Sequence, residues 1–184
     1  NTNVATTVFA TAGVTGVDAN NVAAIQSALN SAAVLGTSAD TLGEVQAIVD
    51  AYNAIKANAD NATAANATDA QYAAIGVTGV DSAVKTSLLG DVVDSKPFSA
   101  VDSVPEVQAL ADAAAAVMTG AAGRTAPTQA QLEALGITGI TTGNLATVLA
   151  AIAATDDNGT GVDTLAELQA VVTAAAAAAA ALDT

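Results

Sequence analysis

The chain has 184 residues, 52% hydrophobic but only 2% aromatic, with 4 basic against 18 acidic side chains, no histidine and no cysteine. A formal charge of −14 has the wrong sign for a nucleic-acid partner and is repelled by an anionic membrane surface. Without histidine the chain lacks the usual acid–base group near neutral pH and the common zinc or copper ligand, while the absence of cysteine leaves the redox compartment open.

The chain opens at Asn1 with neither an initiator methionine nor a basic, apolar leader, which reads as a secreted chain whose leader has been removed. Residues 5–12 form a first short helical stretch. Gly13 stands just past it, where a left-handed residue ends a helix. Gly13-Val14-Thr15-Gly16-Val17-Asp18 is then a turn whose valines pack inward, with Asp18 as N-cap of a second helix. That helix carries Val22, Ile25 and Leu29 at helical spacing. After a loop over 36–40, Thr41 and Glu44 fit the S/T-x-x-E capping box, in which the two side chains satisfy each other's backbone N–H groups. Apolar residues follow at 42, 45, 48, 49, 52 and 55, one face of a third helix.

The same order returns twice. Helical stretches over 68–75 and 128–135 begin at the N-caps Thr68 and Thr128. Turns follow at Gly76-Val-Thr-Gly-Val-Asp81 and Gly136-Ile-Thr-Gly-Ile-Thr141, then second helices with Leu88, Val92 and Val93, and with Leu145, Val148, Leu149 and Ile152. Loops over 95–102 and 156–163 vary, and capping boxes recur at Ser103/Glu106 and Thr164/Glu167; Pro105 falls in a first turn, where no helical hydrogen bond is lost. The turn glycines Gly13, Gly76 and Gly136 set a period of roughly 61 residues, and a fixed period decides architecture. The expectation is an all-α chain of three tandem three-helix bundles, residues 1–66, 67–123 and 124–184, in a rod-like array. From Glu44 to Ile75 there is no Gly or Pro, so the third helix either runs on into the next unit or breaks near 66–68. A linker is expected over 119–127.

Most of the apolar content is alanine, the best helix former, which buries little area. Units near 60 residues are marginal alone, so neighbouring units or molecules are expected to cover each other's faces. No unbroken apolar run approaches the roughly 20 residues of a membrane span, so no span is expected. Acidity with so little lysine suits salty or divalent-rich surroundings, where counterions screen repulsion.

The three G-(V/I)-T-G-(V/I) turns, the Asn144-Leu145-Ala146 helix start and Gly161-Val-Asp-Thr-Leu-Ala-Glu-Leu-Gln-Ala170 resemble the alanine-rich helical repeats of large bacterial secreted adhesins and surface proteins. The resemblance covers essentially the whole chain, and it implies a spacer or structural segment outside the cell. The helix order also resembles, in topology, the three-helix albumin-binding modules of bacterial surface proteins; no binding residue is carried over.

Candidate chemistry is sparse. The recurrent carboxylates Asp18, Asp81, Glu44, Glu106 and Glu167 sit where helix caps need them, and the turn lacks the third glycine and preceding strand of a dinucleotide fingerprint. Serine and threonine lack a histidine to activate them. Asp156, Asn158, Thr160 and Gly161, counted with Glu167, match a twelve-residue calcium loop, although Asp163 stands at its usual apolar position and the other units lack an equivalent. Three sequons, Asn61-Ala-Thr63, Asn66-Ala-Thr68 and Asn158-Gly-Thr160, mark possible glycosylation. Phe9, Tyr52, Tyr72, Phe98 and Met118 are expected in the core or between units. The expected role is an extracellular structural protein, not an enzyme and with no cofactor; calcium at that loop is the lesser alternative, because a tight turn and a capping box explain the same residues. It self-assembles with copies of itself or adjoining repeats, as a filament subunit, surface-layer component or adhesin spacer. The alternative is a cell-surface module binding a host protein.

Overall fold

The computed structural model describes residues 4–60, 64–156 and 158–182, and among them the chain is all-α, with no strand. The α-helices are α1 Thr6–Ala12, α2 Val22–Leu29, α3 Leu42–Asp60, α4 Asp69–Ala74, α5 Ala83–Asp94, α6 Val104–Ala121, α7 Gln129–Ala134, α8 Leu145–Ala153 and α9 Leu165–Leu182. Their lengths, 7, 8 and 19, then 6, 12 and 18, then 6, 9 and 18 residues, recur in the order short, middle, long. Short 3-10 turns occupy Gly36–Ser38 and Phe98–Ala100 in the first two variable loops.

Local chemistry sets these boundaries. Thr68 and Thr128 each close a complete capping box, with Gln71 and Gln131 as partners, which satisfies two otherwise orphan N–H groups at each helix start. Gly13, Gly76 and Gly136 follow the short helices at φ of 90°, 85° and 92°, a left-handed conformation that costs a side-chain-bearing residue roughly 1–2 kcal/mol. α3 starts at a full box, with Thr41 N–H donating to Glu44 Oε2 at 3.0 Å and Glu44 N–H to Thr41 Oγ1 at 3.3 Å.

Two junctions differ from simple expectation. α3 and α4 are separate helices, so the break near 66–68 is the alternative the chain takes. The linker read over 119–127 begins later, because α6 continues through Gly120 to Ala121. A Cβ at Gly120 would stand 2.7 Å from Pro127 Cδ; the glycine allows a close approach here and does not interrupt the helix.

Packing groups the chain into two compact units, Asn1–Asp81 with Val93–Ala109, and Ser82–Val92 with Leu110–Thr184. In the first, α3 packs against α2, α4 and the Phe98–Ala100 turn, around fully buried Ile25, Ile48, Tyr52, Ile55, Tyr72 and Ile75. In the second, α8 packs against α9, and Leu88, Leu89, Val117, Leu132, Leu135, Val148, Ile152, Leu168 and Val172 are buried. Phe9 and Met118 are buried as expected, while Phe98 is half-exposed under the Lys56 ammonium, 5.7 Å from its ring centre.

Among the described residues α9 alone is long and apolar enough to cross a membrane, with 18 residues at mean hydropathy 1.7, of which 17% are buried. The sequence reading counted only unbroken apolar runs, and alanine averages past Glu167, Gln169 and Thr173. Those residues have partners within the fold, and Leu168, Val172 and Ala175 are buried.

Candidate functional site

The two elements that recur in the sequence are held together by one side chain. In the first repeat, Thr15 N–H donates to Gln46 Oε1 at 2.9 Å and Gln46 Nε2 donates back to the Thr15 carbonyl at 3.1 Å. Thr78 and Gln108 repeat the pair at 2.9 and 3.1 Å, and Thr138 and Gln169 at 3.0 and 3.2 Å. A carboxamide carries a donor and an acceptor on one planar group, so it pairs with a backbone residue as another strand would. Of these glutamines the sequence motif above includes only Gln169, and composition and capping assign none of the three a role. Their recurrence two residues after each box glutamate was the available signal.

The second helix starts one turn later than expected: Asn21, not Asp18, holds the N-cap position of α2, and Asn144, not Thr141, that of α8, while the turn residue braces the backbone just before. Asp18 Oδ1 accepts from the N–H groups of Asn20 and Asn21 at 2.7 and 3.1 Å. Asn21 Oδ1 accepts from Asp18 N–H at 2.8 Å, and its Nδ2 donates to the Gly16 carbonyl at 2.7 Å. Thr141, Asn144 and Gly139 reproduce this reciprocal cap. The second repeat has Val84 where the others place Asn21 and Asn144.

Successive repeats meet in a recurring way inside each unit. In the first unit the Val104 N–H, at the start of α6, donates to Ser27 Oγ on α2 at 3.0 Å. In the second unit the Leu165 N–H, at the start of α9, donates to Asp91 Oδ2 on α5 at 3.1 Å. The second helix of one repeat thus satisfies an orphan N–H at the start of the next repeat's third helix. Lys56 over Phe98 and Met118 beside Gly159 form a second matched pair, since 56 and 118, and 98 and 159, are equivalent positions counted from the capping boxes.

The acidic residues are engaged locally. Glu44 Oε2 accepts from the Thr41 hydroxyl and backbone, which holds its carboxyl below the usual range. Burial raises Asp102, helped by the neighbouring Glu106. Burial also raises Asp163, helped by a hydrogen bond to Glu167 and by the charges of Glu167 and Asp91. Of the calcium-loop residues, the Asp156 carbonyl accepts from Gly159 N–H at 2.8 Å, and Asn158 Oδ1 accepts from Thr160 N–H and Oγ1 at 3.1 and 2.8 Å. Glu167 Oε2 accepts from Thr164 Oγ1 at 2.8 Å. Among the described residues no three Asp, Glu, His or Cys side chains converge so as to hold a metal. Asn66 and Asn158 are exposed; the sequon at 61–63 lies outside the described residues.

The first unit carries an apolar groove of about 470 Å³ lined by Val4, Val8, Phe9, Ala12, Val14, Leu29, Leu42 and Val45, with Asp40 as its charged member. Counting from the turn glycines, Ala12 stands where the other repeats bury Ile75 and Leu135. The small side chain leaves that space open.

No family model, curated protein or solved structure matches this chain.

Proposed function

We propose that the protein is an extracellular structural building block that assembles non-covalently with copies of itself or with adjoining repeats, as a filament subunit, a surface-layer component or a spacer in a long adhesin. It is built as three tandem three-helix repeats and performs no catalysis. The observation that carries this reading is the joint between successive repeats, made at the matched helix starts Val104 and Leu165 by Ser27 and Asp91, which stand one residue apart in register on the second helix. A chain that joins like to like repeatedly has a surface suited to continuing the series. The extracellular placement rests on the acidic, lysine-poor composition, which suits salty surroundings, and on the resemblance to secreted repeats.

Negative-stain microscopy at micromolar concentration is the test: regular fibres or sheets are expected. Small-angle scattering of the single chain checks the rod-like array. A second reading, a surface module binding a host protein, is favoured by the apolar groove beside Ala12. That module would remain monomeric and retain one host protein in a pull-down.

A further inference from the structure

Four large apolar side chains stand out among the described residues for their exposure: Val8 at 54%, Leu35 at 62%, Leu42 at 52% and Leu182 at 84%. Leu42 and Leu182 occupy places that are buried in another repeat, while Val8 and Leu35 lie beside such places; the counterparts of Leu35, Pro97 and Asn158, are themselves exposed. Leu42 is equivalent to Val104 and Leu165, the residues whose N–H groups the preceding repeat accepts, and Val104 is 6% exposed. Leu35 adjoins Gly36, the counterpart of Phe98 and Gly159. Val8 lies on α1, the counterpart of α4, which packs on α3. At the other end, Ala51, Ile55 and Ala59 on α3 and Ala113, Val117 and Ala121 on α6 are all buried, whereas their equivalents Ala174, Ala178 and Leu182 on α9 are exposed.

Both bared helices, α1 and α9, lie in stretches poor in charge for a chain of −14: no ionisable side chain precedes Asp18, and none lies between Glu167 and Asp183, although Asp40 and Glu44 stand beside Leu42. A covering surface must come from outside these 184 residues, and one molecule species supplies both halves.

We propose that a second copy of this chain docks head to tail, seating its α1, Leu35 and Leu42 against the α8–α9 face as each repeat seats against the one before it. The contact is heterologous, so it leaves a free face at each end and propagates. Gly36 of the incoming copy then lies over Ala179, the equivalent of Lys56 and Met118, and its Leu42 N–H meets α8 near Ala150 and Ala151. This rests on the self-assembly reading and adds the two faces and their polarity.

Two full-length variants test it, each checked by circular dichroism. Leu42→Arg blocks one face and Ala178→Arg the other, and both lower the net negative charge, so lost assembly cannot come from added repulsion. In sedimentation velocity each variant alone should stay monomeric at roughly tenfold the concentration at which the unaltered chain grows, a weakening of about 1.4 kcal/mol per joint. An equimolar mixture should stop at a one-to-one dimer, because one live face of each kind remains. Should Leu42→Arg lose helix, Leu35→Arg on the same face replaces it. Variants that assemble as the unaltered chain does overturn the faces while self-assembly stands; mixtures that stay monomeric overturn the polarity. An unaltered chain that never associates removes the docking together with the filament and surface-layer readings, and leaves only a spacer packed on adjoining repeats.

Discussion

The clamp glutamines are the smallest parts on which the repeat depends. Gln108 is half-buried and bonds both the N–H and the carbonyl of Thr78. A net hydrogen bond contributes about 0.5–1.5 kcal/mol, and more is lost where a released partner stays hidden from water. Gln108→Ala should therefore cost about 1–2 kcal/mol in urea unfolding. Gln108→Glu should cost at least as much at pH 7, since a carboxylate has no donor for the Thr78 carbonyl, and should recover partly in acid as the carboxyl regains a proton. A glutamate variant as stable as the parent at pH 7 would show that the clamp is geometric coincidence. The capping residues were legible in the sequence because a cap is chemistry within three residues, as at Thr68 and Thr128. The clamp spans about 30 residues, and nothing local distinguishes Gln46, Gln108 or Gln169 from any glutamine on a helix.

At the scale of elements, the turn glycines separate a backbone requirement from a packing one. Gly76 and Gly136 share nearly the same positive φ, yet a Cβ at Gly76 would lie 2.9 Å from Ala33 Cβ, while one at Gly136 meets nothing within 4 Å. Gly136→Ala should cost only the left-handed penalty, about 1–2 kcal/mol. Gly76→Ala should cost more, because it also pushes apart α4 and the segment after α2. Equal losses by thermal unfolding would place Gly76 outside the joint. This pair also marks where sequence reading ended. Periodicity and capping place the three short helices and the starts of the three long ones to within a residue or two, because those signals are repeated and local. The pairing of Ser27 with Val104 and of Asp91 with Leu165 spans 77 and 74 residues, and depends on how helices pack. Gly120 misled for the same reason: its composition says linker, and only the nearby Pro127 explains a glycine inside α6. The apolar groove went unread because Ala12 is unremarkable until it is set beside Ile75 and Leu135.

For the whole molecule, charge and pH decide how far like can meet like. With 18 acidic and 4 basic residues, the folded chain repels itself at neutral pH, and the effect extends about 10 Å at 0.1 M salt. Asp102 and Asp163 have raised pKa values. A raised folded-state value means stability that is fully present below the unfolded-state pKa and lost as pH rises through the folded-state one, so acidification restores it. Glu44 runs the other way: its lowered value gives stability present above the unfolded-state pKa and lost as pH falls through the folded-state one. As the pH falls toward the carboxylate range the raised groups gain stability before Glu44 loses any, and general repulsion falls as the pH approaches the sequence pI near 4.1. The melting temperature in low salt should thus rise by about 2–4 °C from pH 7 to pH 5, the shift expected for roughly 1 kcal/mol in a chain of this size. Asp163→Asn should shrink that rise, and 0.5 M salt should shrink it further by screening. The same acidification should lower the concentration at which fibres form, because copies pressed end to end carry less opposing charge. A melting temperature that falls steadily from pH 7 to 5 would mean that the caps, and not the repulsion, dominate the acid response.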